Sequence, residues 1–350
     1  MKLFNILFTL FGVVTVIFFL FQILPGDPAR MMMDQNEDVE QLEIIKKKYG
    51  FDEPILKQYL YYLNDLSIIS IHSKNPEKIN FIKENKYSFT KIYDFKKSTL
   101  VLKFPYLRES YQRRGVKVST IIMDTFPNTV VLAISSILFA TVFGLLLGIL
   151  SALYKETLFD NSIQLFSTFG MSMPSFLSSI IFAWIFGFVL ADITGLNMTG
   201  SLFELDDFGE EYRLELKNLI LPSIVLGIRP IAVISMMMRN SLIETLKKNY
   251  VITAYAKGLS KSKVILNHCL KNSLNPVITA LSGWFASLLA GSVFVEYIFG
   301  WNGLGREIVN SLNLLDVPVI IGAVIVVSFS FIMINIFVDY IYKFLDPRIS

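Results

Sequence analysis

Residues 3–24, LFNILFTLFGVVTVIFFLFQIL, contain no charged side chain. At 1.5 Å of rise per residue a helix over this stretch reaches about 33 Å, enough for the hydrocarbon core of a bilayer. Inside lipid each backbone N–H and C=O must be satisfied within the protein, so an isolated run of this kind folds as a helix. A cleaved signal peptide would have a shorter apolar core followed by a small-residue cleavage site. Pro25-Gly26-Asp27-Pro28 follows instead, and the stretch reads as an uncleaved anchor. Five further apolar runs occupy 128–153, after the TFPNT turn, then 163–190, 219–238, 277–298 and 319–344. The run at 163–190 is interrupted by Pro174 in MSMPSF. With 53% hydrophobic and 17% charged residues over 350 positions, the chain is too apolar for a soluble domain.

The loops between these runs set the orientation. The 191–217 loop holds seven acids against Arg213 and Lys217. The 239–276 loop holds Arg239, Lys247, Lys248, Lys257, Lys261, Lys263 and Lys271 against Glu244 alone. Positive loops stay on the cytoplasmic side, so 239–276 is cytoplasmic, and Lys2 agrees with a cytoplasmic N-terminus. Six spans then return the C-terminus to the same side. The 67–115 stretch is rich in lysine and aromatics yet falls outside. The positive-inside rule weakens for loops longer than about 60 residues, so this does not upset the assignment. Before it, 34–66 reads as two amphipathic helices. Asp34 caps the first with Glu37 at the reciprocal position, and Lys46 to Lys48 precede a stop at Gly50. Pro54 opens the second.

The cytoplasmic stretch reads as helix, corner, helix. Leu242, Leu246, Tyr250 and Ala254 recur at spacing four, as on one helix face. Lys257 suits the last turn, and Gly258 can take the left-handed conformation that ends a helix with Leu259 as its apolar contact. Ser260 can cap the next helix through its hydroxyl. Thr253, Ala254 and Ala256 are small enough for another protein's surface to come close.

This pattern resembles the coupling loop of ABC importer permeases of the oligopeptide/dipeptide/nickel type. That branch reads roughly D-Y-V-x-T-A-R-A-K-G-L-S, then V-x-x-x-H-x-L-x-N-x-L-x-P. The matching residues are Tyr250, Val251, Thr253, Ala254, Ala256, Lys257, Gly258, Leu259, Ser260, Val264, His268, Leu270, Asn272, Leu274 and Pro276. Asn249 stands where an acid is usual and Tyr255 where Arg is usual. Further likeness lies in LPGDPAR (24–30), KYGFDEPILKQYLYYL, SVFVEYIFGWNGLGRE (292–307, with Asn302 in place of a usual proline), DVPVIIG and LDPRI (345–349). It covers nearly the whole chain except about 67–115, which looks like an insertion: a small subdomain, an arm touching a binding protein, or a tolerated loop.

The resemblance implies an all-α membrane protein, six transmembrane helices of the type I ABC importer permease fold with an extracytoplasmic insertion after the first. Residues 1–24 are then the first transmembrane helix, 25–127 the extracytoplasmic region and 128–350 a five-helix core holding the coupling loop. It implies a permease subunit in a prokaryotic inner membrane. The partners would be a second homologous permease, two ATPase subunits that bind ATP and Mg, and an extracytoplasmic solute-binding protein. The cargo would be peptides or a related small solute such as chelated nickel, moved by alternating access. Tyr250, Thr253, Ala254, Ala256, Lys257, Gly258, Leu259, Ser260 and His268 are the expected contacts to the ATPase.

Within the membrane, Arg229 lies near the middle of the fourth run, where an Arg costs about 2.5–3.5 kcal/mol on insertion scales. It contacts a substrate carboxylate or gate on one reading. On the other it pairs with an acid or caps carbonyls freed by Pro230. Glu296, near the outer end of the fifth run, is assigned with Arg229 to the translocation pathway, with a tie inside the outer turn as the competing reading. Gly144 and Gly148 are spaced for helix packing. One cysteine, Cys269, and two distant histidines, His72 and His268, suggest neither a disulfide nor a metal site. A net charge of +3 gives no case for nucleic acid. No GxxxxGK[ST], HExxH or GxSxG occurs, so the chain reads as a transport subunit without its own ATPase motif. Two rivals differ in kind. A secondary transporter calls for several mid-membrane charges and repeated halves. A membrane enzyme calls for a catalytic spacing within 67–115.

Overall fold

The computed structural model describes residues 2–23, 27–33, 39–76, 78–82, 88–206 and 208–345. They form two compact units, Met1–Asp124 with Ile308–Phe329 and Thr125–Glu307 with Ser330–Ser350.

In the first unit, α1 (Lys2–Ile23) is apolar around its circumference. Leu7, Phe8 and Leu20 are exposed while Val14 and Phe18 are buried. Asp27 accepts from the Ala29 amide at 3.0 Å and starts the single turn α2 (Pro28–Met31). The helix α3 (Val39–Tyr49) carries Lys46 to Lys48 in its last turn. It stops at Gly50, whose φ is +75°. The expected cap by Asp34 and Glu37 lies outside the described residues. α4 (Ile55–Leu66) begins after Pro54 and buries Tyr59 and Tyr62 against Val14, Phe18 and Ile321.

The expectation of an all-α chain needs correction here. Three strands, β1 (Ile69–Ser73), β2 (Phe89–Asp94) and β3 (Ser98–Lys103), form an antiparallel sheet in the order β1-β3-β2. Alternation in ISIHS and STLVLK suits a pleated strand, whose side chains point to opposite faces in turn. The buried face mixes polar side chains with Val101. Ser70, His72, Thr99 and Lys103 are buried, while Ile69, Ile71 and Leu102 are exposed. The buried polar side has partners. His72 meets the Ser70 hydroxyl at 3.0 Å, and the Lys103 ammonium donates to the Asp65 carbonyl. Burial pushes Lys103 down to about 8 and lowers His72. Arg108 pairs with Asp65 at 2.9 Å and lies over the Tyr62 ring. Asp316 accepts from the Ser110 hydroxyl and from the Tyr111 amide at 2.9 Å.

α5 (Val118–Leu153) begins ten residues earlier than the apolar run, and Pro127 sits inside the helix, not in a turn before it. A proline inside a helix removes one backbone hydrogen bond, and here the helix runs on through it. α6 (Leu158–Ser172) and α7 (Ser175–Trp184) meet at 109° across Met173 and Pro174. A π turn (Ile185–Val189) and α8 (Ala191–Thr194) follow. The acidic loop contains a hairpin of β4 (Phe203–Leu205) and β5 (Tyr212–Leu214).

α9 (Ile220–Leu246) is the axis of the second unit. Gly144 and Gly148 let α5 lie directly on it: a Cβ at Gly148 would stand 2.6 Å from the Ser235 carbonyl oxygen. Then come α10 (Asn249–Ala256), α11 (Lys261–Val264), a π turn (Ile265–Cys269), α12 (Leu270–Ser273), α13 (Asn275–Gly291), α14 (Val293–Phe299), α15 (Leu304–Asn313) and α16 (Val317–Leu345). Among the described residues, three helical stretches are long and apolar enough to cross a membrane, and two bent pairs raise the number to five. Ile6–Gln22 in α1 is a shorter apolar helix. The LDPRI likeness falls, after Leu345, outside the described residues.

Candidate functional site

The basic stretch folds around one corner. α9 ends at Leu246, and Lys247 and Lys248 separate it from α10. The spacing-four series Leu242, Leu246, Tyr250 and Ala254 therefore spans two helices, which corrects the reading of one continuous face. Leu242 and Ala254 are buried, whereas Tyr250 is exposed. At the end of α10, Gly258 has φ +79°. Its amide donates to the Tyr255 carbonyl at 2.9 Å, and the Leu259 amide reaches back to the Ala254 carbonyl at 3.3 Å. These two bonds satisfy carbonyls that a helix end leaves free, and they require the left-handed residue between them. Leu259 packs on the cluster that holds Val251, Ala254, Val264 and Cys269.

Ser260 occupies the cap position of α11, but its hydroxyl makes no capping bond. Its carbonyl accepts from the Val264 amide at 3.0 Å instead. The Asn272 amide donates to the Tyr250 hydroxyl at 2.9 Å and ties the two arms. Of the expected contact residues, Tyr250, Thr253, Ala256, Lys257, Gly258 and Ser260 are exposed, Leu259 and His268 are half-buried, and Ala254 faces inward. A Cβ on Gly258 would meet nothing within 4 Å. The corner is thus rigid inside and open outside.

Asp160 went unnoticed in the sequence. It is fully buried, and Arg239 grips it in bidentate fashion at 2.7 and 2.6 Å. The Ser151 hydroxyl, the Glu156 amide and Gln164 also donate to it. This joins α5, α6 and α9 where the basic stretch begins. The available signal was one acid near the start of an apolar run, but its partner is 79 residues away.

Arg229 and Glu296 are not brought together. Arg229 is exposed on α9 and lines a cleft with Ser175, Trp284 and Ser287. It forms no ion pair among the described residues and caps no carbonyl near Pro230. Glu296 does not line that cleft. Its buried carboxylate accepts from Ser292 at 2.7 Å, from the Gly305 and Arg306 amides at 2.6 and 3.2 Å, and from Thr129. A Cβ at Gly305 would stand 2.6 Å from the Val293 Cα, so the turn closes tightly over this carboxylate.

Comparison with known proteins follows the same lines. The family model described as binding-protein-dependent transport system inner membrane component matches residues 144–350, and its N-terminal counterpart matches 1–80. The chain is 32% identical over 357 residues to the di/tripeptide transport system permease protein DppB of Pseudomonas aeruginosa, covering 97% of this chain and 95% of that one. It is 30% identical to the dipeptide transport system permease protein DppB of Alkalihalophilus pseudofirmus, with the same coverages. It is also 30% identical to the glutathione transport system permease protein GsiC of Escherichia coli, covering 99% and 97%. A solved structure of the MetNI methionine ABC transporter in inward-facing conformations is similar in fold. The TM-score is 0.52 at 14% identity, covering 65% of this chain and 97% of that one.

Proposed function

Because the chain belongs to the family of binding-protein-dependent transport system inner membrane components, we infer that it is the permease subunit of an ATP-driven importer whose cargo is a peptide. Dipeptides and short oligopeptides are the favoured class, since the relatives named above are di/tripeptide, dipeptide and glutathione permeases. The chain works with a second, homologous permease, two ATPase subunits and an extracytoplasmic binding protein. Six spans place both termini and the 239–276 loop in the cytoplasm, and 25–127 outside.

The observation that carries this reading is the corner at Gly258. Its internal bonds make the α10–α11 pair a rigid lever, and its outer surface of Thr253, Ala256, Lys257, Gly258 and Ser260 is exposed. ATP closes the two ATPases, the lever moves with them, and the spans switch from inward- to outward-facing. ATP can shift that equilibrium only through contacts that differ between the two states, and this surface is where they form. Arg239 and Asp160 tie α9, which leads into the lever, to α5 and α6.

Co-purification tests the reading. The wild-type chain should retain a P-loop ATPase through detergent extraction. Gly258→Trp, and separately Lys257→Glu, should lose it while the chain still folds. Retained ATPase and retained uptake in both variants would refute it.

A further inference from the structure

The cleft beside Arg229 is walled by hydrogen-bond donors. It lies within the second unit, between α9, α13 and the first turn of α7, with a volume of about 60 Å³. Arg229, Trp284, Ser175 and Ser287 line it, and none of these four side chains forms a hydrogen bond to the described residues. Ser178, also in the wall, returns its hydroxyl to the Pro174 carbonyl at 3.3 Å. No Asp or Glu lines the cleft, and Val225, Leu226 and Leu288 make its walls apolar. A guanidinium and an indole N–H can only donate, and a serine hydroxyl donates when it faces an anion. Intramembrane Arg is rare without an anionic or polar partner. The ligand such a site selects is therefore an anion.

The shape narrows the choice. The cleft admits a few heavy atoms, such as a carboxylate with its α-carbon, and the body of a larger molecule must extend beyond it. The planar guanidinium matches a carboxylate in bidentate fashion, and apolar walls strengthen that pairing by lowering the local dielectric. We propose that Arg229, with Trp284, Ser175 and Ser287, forms a subsite that holds the terminal carboxylate of a peptide during its passage across the membrane. This rests on the reading of the chain as a peptide-importer permease. Every unmodified peptide has that group, so the subsite engages cargo without regard to side chains.

The test uses the purified membrane complex with the wild-type chain, Arg229→Lys or Arg229→Gln. Binding of the dipeptide Ala-Ala and of its C-terminal amide is read from Trp284 fluorescence, with a Trp284→Phe complex as blank. ATP-driven Ala-Ala uptake is followed in proteoliposomes supplied with the extracytoplasmic binding protein. Ala-Ala should bind the wild type at least about tenfold more tightly than the amide. Arg229→Gln should erase that preference and lower uptake by a similar factor, and Arg229→Lys should restore part of both. Equal binding of Ala-Ala and its amide to the wild type overturns the proposal. So does undiminished preference in Arg229→Gln. Dissociation of the complex in Arg229→Gln, with Arg229→Lys intact, also overturns it, because Arg229 would then hold a neighbouring subunit. Wild-type proteoliposomes that take up no peptide, or do so without ATP, refute the importer reading instead, and the binding comparison separates the two failures.

Discussion

The basic stretch at 239–276 and the sheet at 69–103 lie in different units and bury different kinds of side chain. In the first, the buried core is mainly apolar and the lysines face outward: Leu242, Val251 and Val264 are buried while Lys257, Lys261 and Lys263 are exposed, as are Ile252 and Leu266. In the second, Ser70, His72, Thr99 and Lys103 turn inward beside Val101, and Ile69, Ile71 and Leu102 turn outward. The first is ordered by the hydrophobic effect and by one left-handed glycine. The second is ordered around Asp65, whose carbonyl takes Lys103 and whose carboxylate takes Arg108. Local rules therefore suffice for the corner, whereas the sheet, and Arg239 at the head of the stretch, depend on residues distant in sequence.

Three variants probe the contrast, from the largest expected effect to the smallest. Arg239→Gln leaves Asp160 buried without its cation. That should cost about 3–5 kcal/mol, seen as a lower unfolding midpoint of the solubilised protein. Adding Asp160→Asn should recover much of the loss, and no recovery would mean that Arg239 acts through packing alone. The sheet's inward polar side should respond to pH. Lys103 titrates at about 8 when folded, below its ordinary 10.5. Between those values the unfolded chain keeps a proton that the folded sheet has released, so stability should rise with pH from about 8 to about 10.5. Hydrogen exchange at Val101 and Leu102 reads this out. Lys103→Met should flatten the dependence, and an unchanged slope would assign it to another group. Last, Ile71→Ser on the exposed face should change stability by no more than about 0.5 kcal/mol. A larger loss would show that this face is covered in the assembly, and the contrast between the two regions would weaken.

The same contrast explains what the sequence made legible. The corner was readable because Lys257, Gly258 and Leu259 are local signals whose bonds span only a few residues. The broken span was readable from Pro174 alone. The break at Lys247–Lys248 was not, because Leu242, Leu246, Tyr250 and Ala254 keep one helical phase across it. Pro127 misled, since a proline marks a turn locally but α5 carries it within a long apolar helix. An all-α reading misses the strands at ISIHS and STLVLK, and which of their faces is buried depends on Asp65 and Arg108. Arg229 was found as an intramembrane charge. That it lacks an acidic partner among the described residues, while Asp160 takes Arg239 ten residues along the same helix, required the fold.

The central claim is that force enters this chain at the Gly258 corner. Cross-linking tests it most directly: Ala256→Cys in a Cys269→Ala background, with the assembled transporter treated with a short bifunctional thiol reagent. The account predicts a cross-link to the ATPase subunit whose yield changes when ATP is added. A cross-link confined to the second permease, or an ATPase cross-link indifferent to nucleotide, would contradict it.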